Sequence, residues 1–202
     1  DEVHFRDWRA LGVDYLLIGR SENRRNKMAV KYTLFDVHTQ RALLANEIRA
    51  GRDAERAIAH KLSDAVFKKL TGIRGAFSTR MLYVSAQRNE LGVSSYRLIL
   101  ADADGANARE ILRSAEPILS PAWSADGKQI AYVSFETQRP AIYQQVIATG
   151  QRKKLTNFPG LNSAPSWSPD GKHMAMVFSK DGNPDISRMN LATADVQKIT
   201  HH

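Results

Sequence analysis

The chain has 202 residues, 43% hydrophobic and 25% charged, enough for one ordinary domain or two small ones. It has no cysteine, which excludes disulfides, and no apolar run near the roughly 20 residues that carry a helix across a bilayer. The net charge of +8 raises the question of an acidic or nucleic-acid partner.

That charge is spread along the chain: Lys and Arg outnumber Asp and Glu by 15 to 10 in residues 1–75 and by 14 to 11 beyond. The densest cluster is Arg24, Arg25 and Lys27, with Arg20 close by, at an expected hairpin loop. No aromatic stacking platform interleaves with it, so a solvated basic surface is the reading taken and no nucleic-acid partner is expected. The opening DEVHF has neither an initiator Met nor a signal peptide, and a piece of a longer chain is expected.

The first third reads as α+β. Phe5, Trp8 and Leu11 share a three-residue step, hence one helix face, with Gly12 as the stop. VDYLLIG (13–19) is fit for a buried strand. Met28, Val30, Tyr32 and Leu34 alternate along a second strand, and 41–48 can return beside it after a turn over 36–40. The period then changes. Asp53 is a good N-cap, and Ile58, Leu62, Val66 and Leu70, with Ala54 and Ala65, form an apolar helical stripe expected to pack on the sheet. Gly72 ends that helix, and Gly72 and Gly75 bracket a linker. The predicted domains are therefore 1–74 and 75–202.

From Arg80 onward the chain consists of short β runs, and it repeats. Trp123 and Trp167, Gly127 and Gly171, and the pairs Leu155-Thr156 and Ile199-Thr200 all lie 44 residues apart. That period, with strand-like segments, is the period of a β-propeller blade. One unit parses as strands over 121–124, 129–135, 140–148 and 151–156; the next repeats it, with 185–190 as its third strand. A degraded earlier copy covers 81–85, 96–102 and 110–113 and lacks the Trp-Ser-x-Asp-Gly opening. Trp123 and Trp167 are expected between neighbouring blades, an exposed binding role being the alternative. Asp126 and Asp170, standing before Gly127 and Gly171, read as turn formers before metal or catalytic carboxylates. About three copies, the first lacking its inner strand, fall short of the 4 to 8 that close a ring.

No catalytic signature emerges. Gly19-Arg20-Ser21-Glu22-Asn23 lacks the final Gly of a nucleophile elbow, and His4, His38, His60 and His173 have no ligand spacing. His201-His202 is a weak metal signal. Asp102, Asp104 and Gly105 lack the Glu that would complete a calcium loop, so a strand-end turn is expected there.

Taken in order, GVDYLLIG, AFSTRMLYVS, SPAWSADGKQIAYVSFE and FPGLNSAPSWSPDGK resemble the TolB family, the periplasmic propeller proteins of the Tol–Pal system of Gram-negative bacteria. The resemblance covers essentially the whole chain, and KLTGIRGAF is its most specific run; Trp-Ser-Pro-Asp-Gly by itself is shared with peptidase propellers. It implies an α+β N-terminal domain followed by an all-β, incomplete β-propeller, about three of six blades. It also implies a non-catalytic periplasmic scaffold without cofactor or metal, touching membranes only through partners. Those partners would be Pal, the peptidoglycan-associated lipoprotein, and TolA, the latter through an N-terminal segment outside this stretch. The role would be outer-membrane integrity and constriction at division. Pal would dock at a propeller mouth made by the loops entering each innermost strand: Leu119, Ser120 and Pro121, then Leu161, Asn162, Ser163, Ala164 and Pro165. Small residues there let a partner's backbone approach, and proline pre-orders the loop. From residue type alone these are short connectors, and Leu161 stands where some relatives carry His. The rival reading is the propeller of a prolyl-oligopeptidase-like hydrolase whose catalytic domain lies outside this chain.

Overall fold

The computed structural model describes residues 3–24, 27–51 and 54–201. They divide into two compact units, Asp1–Thr79 and Arg80–His202. The division falls just beyond Gly75, at the end of the glycine-bracketed linker.

The first unit is an antiparallel meander of β1 (Tyr15–Arg24), β2 (Lys27–Asp36) and β3 (Arg41–Gly51), preceded by α1 (Phe5–Ala10) and followed by α2 (Glu55–Thr71). Alternation in β2 sends Tyr32 and Leu34 to the buried side while Lys27 and Lys31 stay exposed. α2 lies on β3 and β2. Its stripe is buried unevenly: Ile58 is buried, Leu62 and Val66 half-buried, and Leu70 exposed. Gly72, at φ +75°, takes the left-handed conformation that ends the helix, its N–H donating to the Lys68 carbonyl. The expected cap Asp53 lies outside the described residues, as does Arg25 of the basic cluster. The face expected of α1 is not buried, since Trp8 and Leu11 are exposed. Under two turns long, this helix engages the sheet through Phe5, edge-on to Phe35 at 5.4 Å.

The second unit contains three antiparallel sheets. The first is β4 (Arg80–Arg88), β5 (Ser94–Asp102) and β6 (Arg109–Ser114). The second is β7 (Ile118–Trp123), β8 (Gln129–Ser134), β9 (Ala141–Val146) and β10 (Arg152–Lys154). The third is β11 (Asn162–Trp167), β12 (His173–Phe178), β13 (Asp185–Asn190) and β14 (Val196–Lys198). β7 lies against β4 and β5 as β11 lies against β8 and β9. β4 thus holds a second-strand position, and the first blade lacks its innermost strand, as the sequence predicts. These sheets are an incomplete β-propeller. Asp102 to Ala106 is the expected strand-end turn, with Gly105 N–H donating to the Asp102 carbonyl.

Packing follows from the two-residue period of β8. Ile130 and Tyr132 face one way and join Leu98, Ile118, Ala141 and Tyr143 in a core against the first sheet. Ala131 and Val133 face the other way and join Ile142, Met174, Met176, Phe178 and Met189 in a core against the third. The middle sheet is therefore apolar on both faces, so β8 reads as a continuous hydrophobic run rather than an alternating one. Trp123 packs on the first core and Trp167 on the second, each partly buried between neighbouring blades.

The polar part of the repeat is also structural. Ser124 Oγ donates to Asp126 Oδ1 at 2.6 Å, and that oxygen accepts the Lys128 N–H at 3.1 Å. In the next blade Ser168 donates to Asp170 at 2.5 Å, which accepts the Lys172 N–H at 3.0 Å. Gly127 and Gly171 take positive φ, 66° and 68°, to close these turns. The Leu-Thr landmark also has a cause: the Thr156 and Thr200 hydroxyls accept the N–H groups of Ile142 and Ile186, holding each outer strand to the third.

The turn aspartates make acid stability predictable. The Ser124 hydroxyl and then the Lys128 amide hold the Asp126 carboxyl below its ordinary value of 3.8, and Ser168 and Lys172 do the same for Asp170. A carboxyl depressed in the fold contributes stability above its unfolded pKa and loses it as pH falls through the folded value, here below about pH 4. Asp126→Asn with Asp170→Asn keeps the acceptor and removes the titration. The double variant is expected to melt lower at neutral pH and to lose less Tm than the parent from about pH 4 to pH 2. Parallel Tm-against-pH curves in that window would refute the assignment.

A polar network joins the first two blades. Arg152 Nε donates to the Tyr132 hydroxyl at 2.6 Å, Tyr132 donates to Gln145 Oε1 at 3.1 Å, and Gln145 Nε2 reaches the Ile111 carbonyl at 3.3 Å. Burial pushes the Tyr132 hydroxyl up to about 12. Burial works against the Glu136 carboxylate too, but hydrogen bonds from Tyr143 and Arg152 outweigh it and hold that carboxyl low.

Candidate functional site

The innermost strands begin earlier than the sequence reading allows, at Ile118 and Asn162 rather than at Pro121 and Pro165. The candidate mouth residues accordingly lie within β7 and β11 rather than on connectors, except Leu161, which directly precedes β11. Each strand pairs through its first two residues, slips, and pairs again: Leu119 opposite Val133 and then Ala122 opposite Ala131, Ser163 opposite Val177 and then Ser166 opposite Ala175. The slips are β-bulges, and their centres are Ser120 and Ala164, at φ 49° and 50°. These two positions lie 44 residues apart and neither is glycine. A side chain in left-handed backbone costs about 1–2 kcal/mol, so the packed strands on either side impose the conformation. The proline that follows each of them has no N–H to lose from the ladder.

The bulges sort the candidate residues. Leu119 and Leu161 are exposed, at 48% and 37%, and Ser120 and Ala164 are exposed beside them. Pro121 and Ser163 are half-buried, and Pro165 is buried. Asn162 is fully buried and serves the fold. Its Oδ1 accepts the Phe158 N–H at 3.1 Å, and its Nδ2 donates to the carbonyls of Phe158 at 2.7 Å and Gly160 at 3.3 Å. The 157–161 connection is thus fastened from beneath. Sequence reasoning passed over four residues of this rim. Ser179 Oγ accepts the Leu161 N–H at 2.8 Å, Lys180 stands over the Phe158 ring at 4.7 Å, and Gly160, at φ +76°, leaves room for Ser179. The signal available was the Phe-Pro-Gly run with its left-handed glycine; the pairing to 179–180 is long-range.

Chemically, this rim presents two apolar side chains, small neighbours and a lysine, a surface suited to contact with another chain. Among the described residues no group of His, Asp and Glu is placed to hold a metal ion, and no helix is long and apolar enough to cross a membrane.

Residues 67–202 match the TolB beta propeller domain, and residues 1–43 match the TolB amino-terminal domain. The Tol-Pal system protein TolB of Pseudomonas entomophila (strain L48) is 51% identical over 163 residues, covering 81% of this chain and 38% of that protein. TolB of Pseudomonas aeruginosa PAO1 is 47% identical over the same length. The crystal structure of TolB from Acinetobacter baumannii matches with a TM-score of 0.91 and 44% identity, covering 99% of this chain and 50% of that one. The chain therefore spans half or less of the length of these relatives. With the propeller unit matched along its whole length and three sheets in blade arrangement, the chain belongs to the TolB family.

Proposed function

We propose that this chain is part of a non-catalytic periplasmic scaffold of the Tol–Pal system, whose propeller mouth receives Pal. The scaffold links Pal, at the outer membrane and peptidoglycan, to TolA, and so supports envelope integrity and constriction at division. The observation that carries the reading is the pair of strained bulges at Ser120 and Ala164, 44 residues apart, with Leu119 directly before the first and Leu161 at the entry to the second strand, both exposed. Strain of this kind persists where the surrounding structure fixes it and collects at binding sites. Family membership supplies the Tol–Pal context. Affinity would come from many modest contacts around a rigid rim, with the exposed leucines as anchors.

The test is calorimetry of Pal against a full-length TolB that carries this stretch. Leu119→Asp with Leu161→Asp is expected to weaken binding on the order of 30-fold with an unchanged Tm, because both side chains are exposed. The 202-residue chain by itself, holding a partial mouth, is expected to bind weakly. Undiminished affinity in the double variant would sink the assignment.

A further inference from the structure

The two blade junctions differ at the turn ends of β7 and β11, the ends away from the bulges. In the first junction Arg80, the first residue of β4, lays its guanidinium over the Trp123 ring at 5.0 Å and donates from Nη2 to the Gly127 carbonyl at 3.0 Å. RMLYVS (80–85), QIAYVS (129–134) and HMAMVF (173–178) are the same second strand in successive blades, so Gln129 is the counterpart of Arg80. It is shorter, and its Oε1 is taken by Gln144 Nε2 at 2.5 Å. Among the described residues no guanidinium covers Trp167. In its place is a groove of about 370 Å³ lined by Ser124, Asp126, Gln129, Trp167, Asp170 and Gly171, among others.

Two further observations show what this groove lacks. A Cβ built on Gly127 would stand 3.7 Å from the Arg80 Nη2, whereas one built on Gly171 meets nothing within 4 Å. The lining carries two carboxylates, Asp126 and Asp170, while the neighbouring Lys128 and Lys172 are not part of it.

We propose that this groove is a receptor for a guanidinium group, carried by an arginine side chain of a partner protein. The first junction shows the geometry the fold gives such a group: a place over the tryptophan ring and an N–H on the turn glycine's carbonyl. The second junction repeats the tryptophan, the glycine and the turn aspartate, Asp170 in place of Asp126, and adds a second carboxylate, Asp126 from the preceding turn. A planar guanidinium stacks on an indole while its N–H groups bond outward in its own plane, which a compact ammonium does not do. The partner's arginine therefore completes from outside what Arg80 completes from within.

Indole 1H–15N resonances of the chain, assigned with Trp→Phe variants, test this directly. The probe is N-acetyl-arginine amide, whose blocked ends model a side chain rather than the free amino acid, with N-acetyl-lysine amide as the comparison. The Trp167 resonance is expected to move and saturate with arginine and to need at least about fivefold more lysine for the same shift. Trp123 should stay still until Arg80→Ala uncovers it, and then respond as well. Gln129→Arg should fill the groove and abolish the Trp167 response. No saturable movement of Trp167 would overturn the proposal. So would an equal response to lysine, or an Arg80→Ala protein whose Trp123 stays silent. If Gln129→Arg does not fold, the arginine–lysine comparison and Arg80→Ala still decide.

Discussion

Phe178→Ala is expected to destabilise the propeller unit by about 3–5 kcal/mol. Phe178 closes β12 with 2% of its surface exposed and lies in the core shared by the second and third sheets. Its ring also meets Phe158 edge-on at 5.0 Å, 78° between planes. Removing it leaves a cavity at the blade contact and withdraws support from the 157–161 connection. A small domain has only about 5–15 kcal/mol of stability in all, so the variant should denature at much lower urea concentration. Trp167→Ala, on the same core but partly exposed, should cost less. Chemical denaturation of both measures the order; a Phe178→Ala loss below about 1 kcal/mol would show that the blades do not share a packed core.

Gly75→Ala should loosen the end of the first unit, for a different reason. A Cβ on Gly75 would lie 2.8 Å from the Asp64 Cα and against its Oδ1 carboxylate oxygen. Backbone cannot move aside as a flexible side chain can, and such overpacking costs about 1–3 kcal/mol. The intruding methyl would also displace a clamp: Asp64 accepts the Phe77 N–H at 2.8 Å and the Ser78 N–H at 3.1 Å, tying the linker to α2. Burial works against the Asp64 charge, yet hydrogen bonds from Ser78 and Phe77 outweigh it and hold its carboxyl low. The expected signature is faster amide exchange at Phe77 and Ser78 and quicker proteolysis across 72–79. Unchanged exchange there would mean the close approach is unimportant. Asp64→Asn, which keeps one acceptor and removes the charge, should give a milder version.

The sequence by itself settled the repeat, and the repeat settled the architecture. Turn chemistry is local: a serine, an aspartate two residues on and a glycine after it close the same turn twice, whatever lies around them. Strand alternation is local as well, which is why 185–190 could be placed to the residue and the first blade recognised as lacking its innermost strand. What depended on distant parts of the chain was not legible. Ser120 and Ala164 carry no mark of left-handed backbone, since neither is glycine; the bulge is imposed by pairing with β8 and β12. Asn162 reads as a contact residue from its place in the loop that the family resemblance puts at the mouth, but its amide is turned inward to hold the loop ahead of it. The stripe on α1 was periodic enough for a helix but too short to bury. Arg80 and Trp123 are 43 positions apart in the chain, and only the stacking of blades brings the guanidinium over one indole and leaves the next groove open. Near-neighbour chemistry fixes the conformation of each turn and strand, while burial and ligand geometry follow from which surfaces the folded sheets press together.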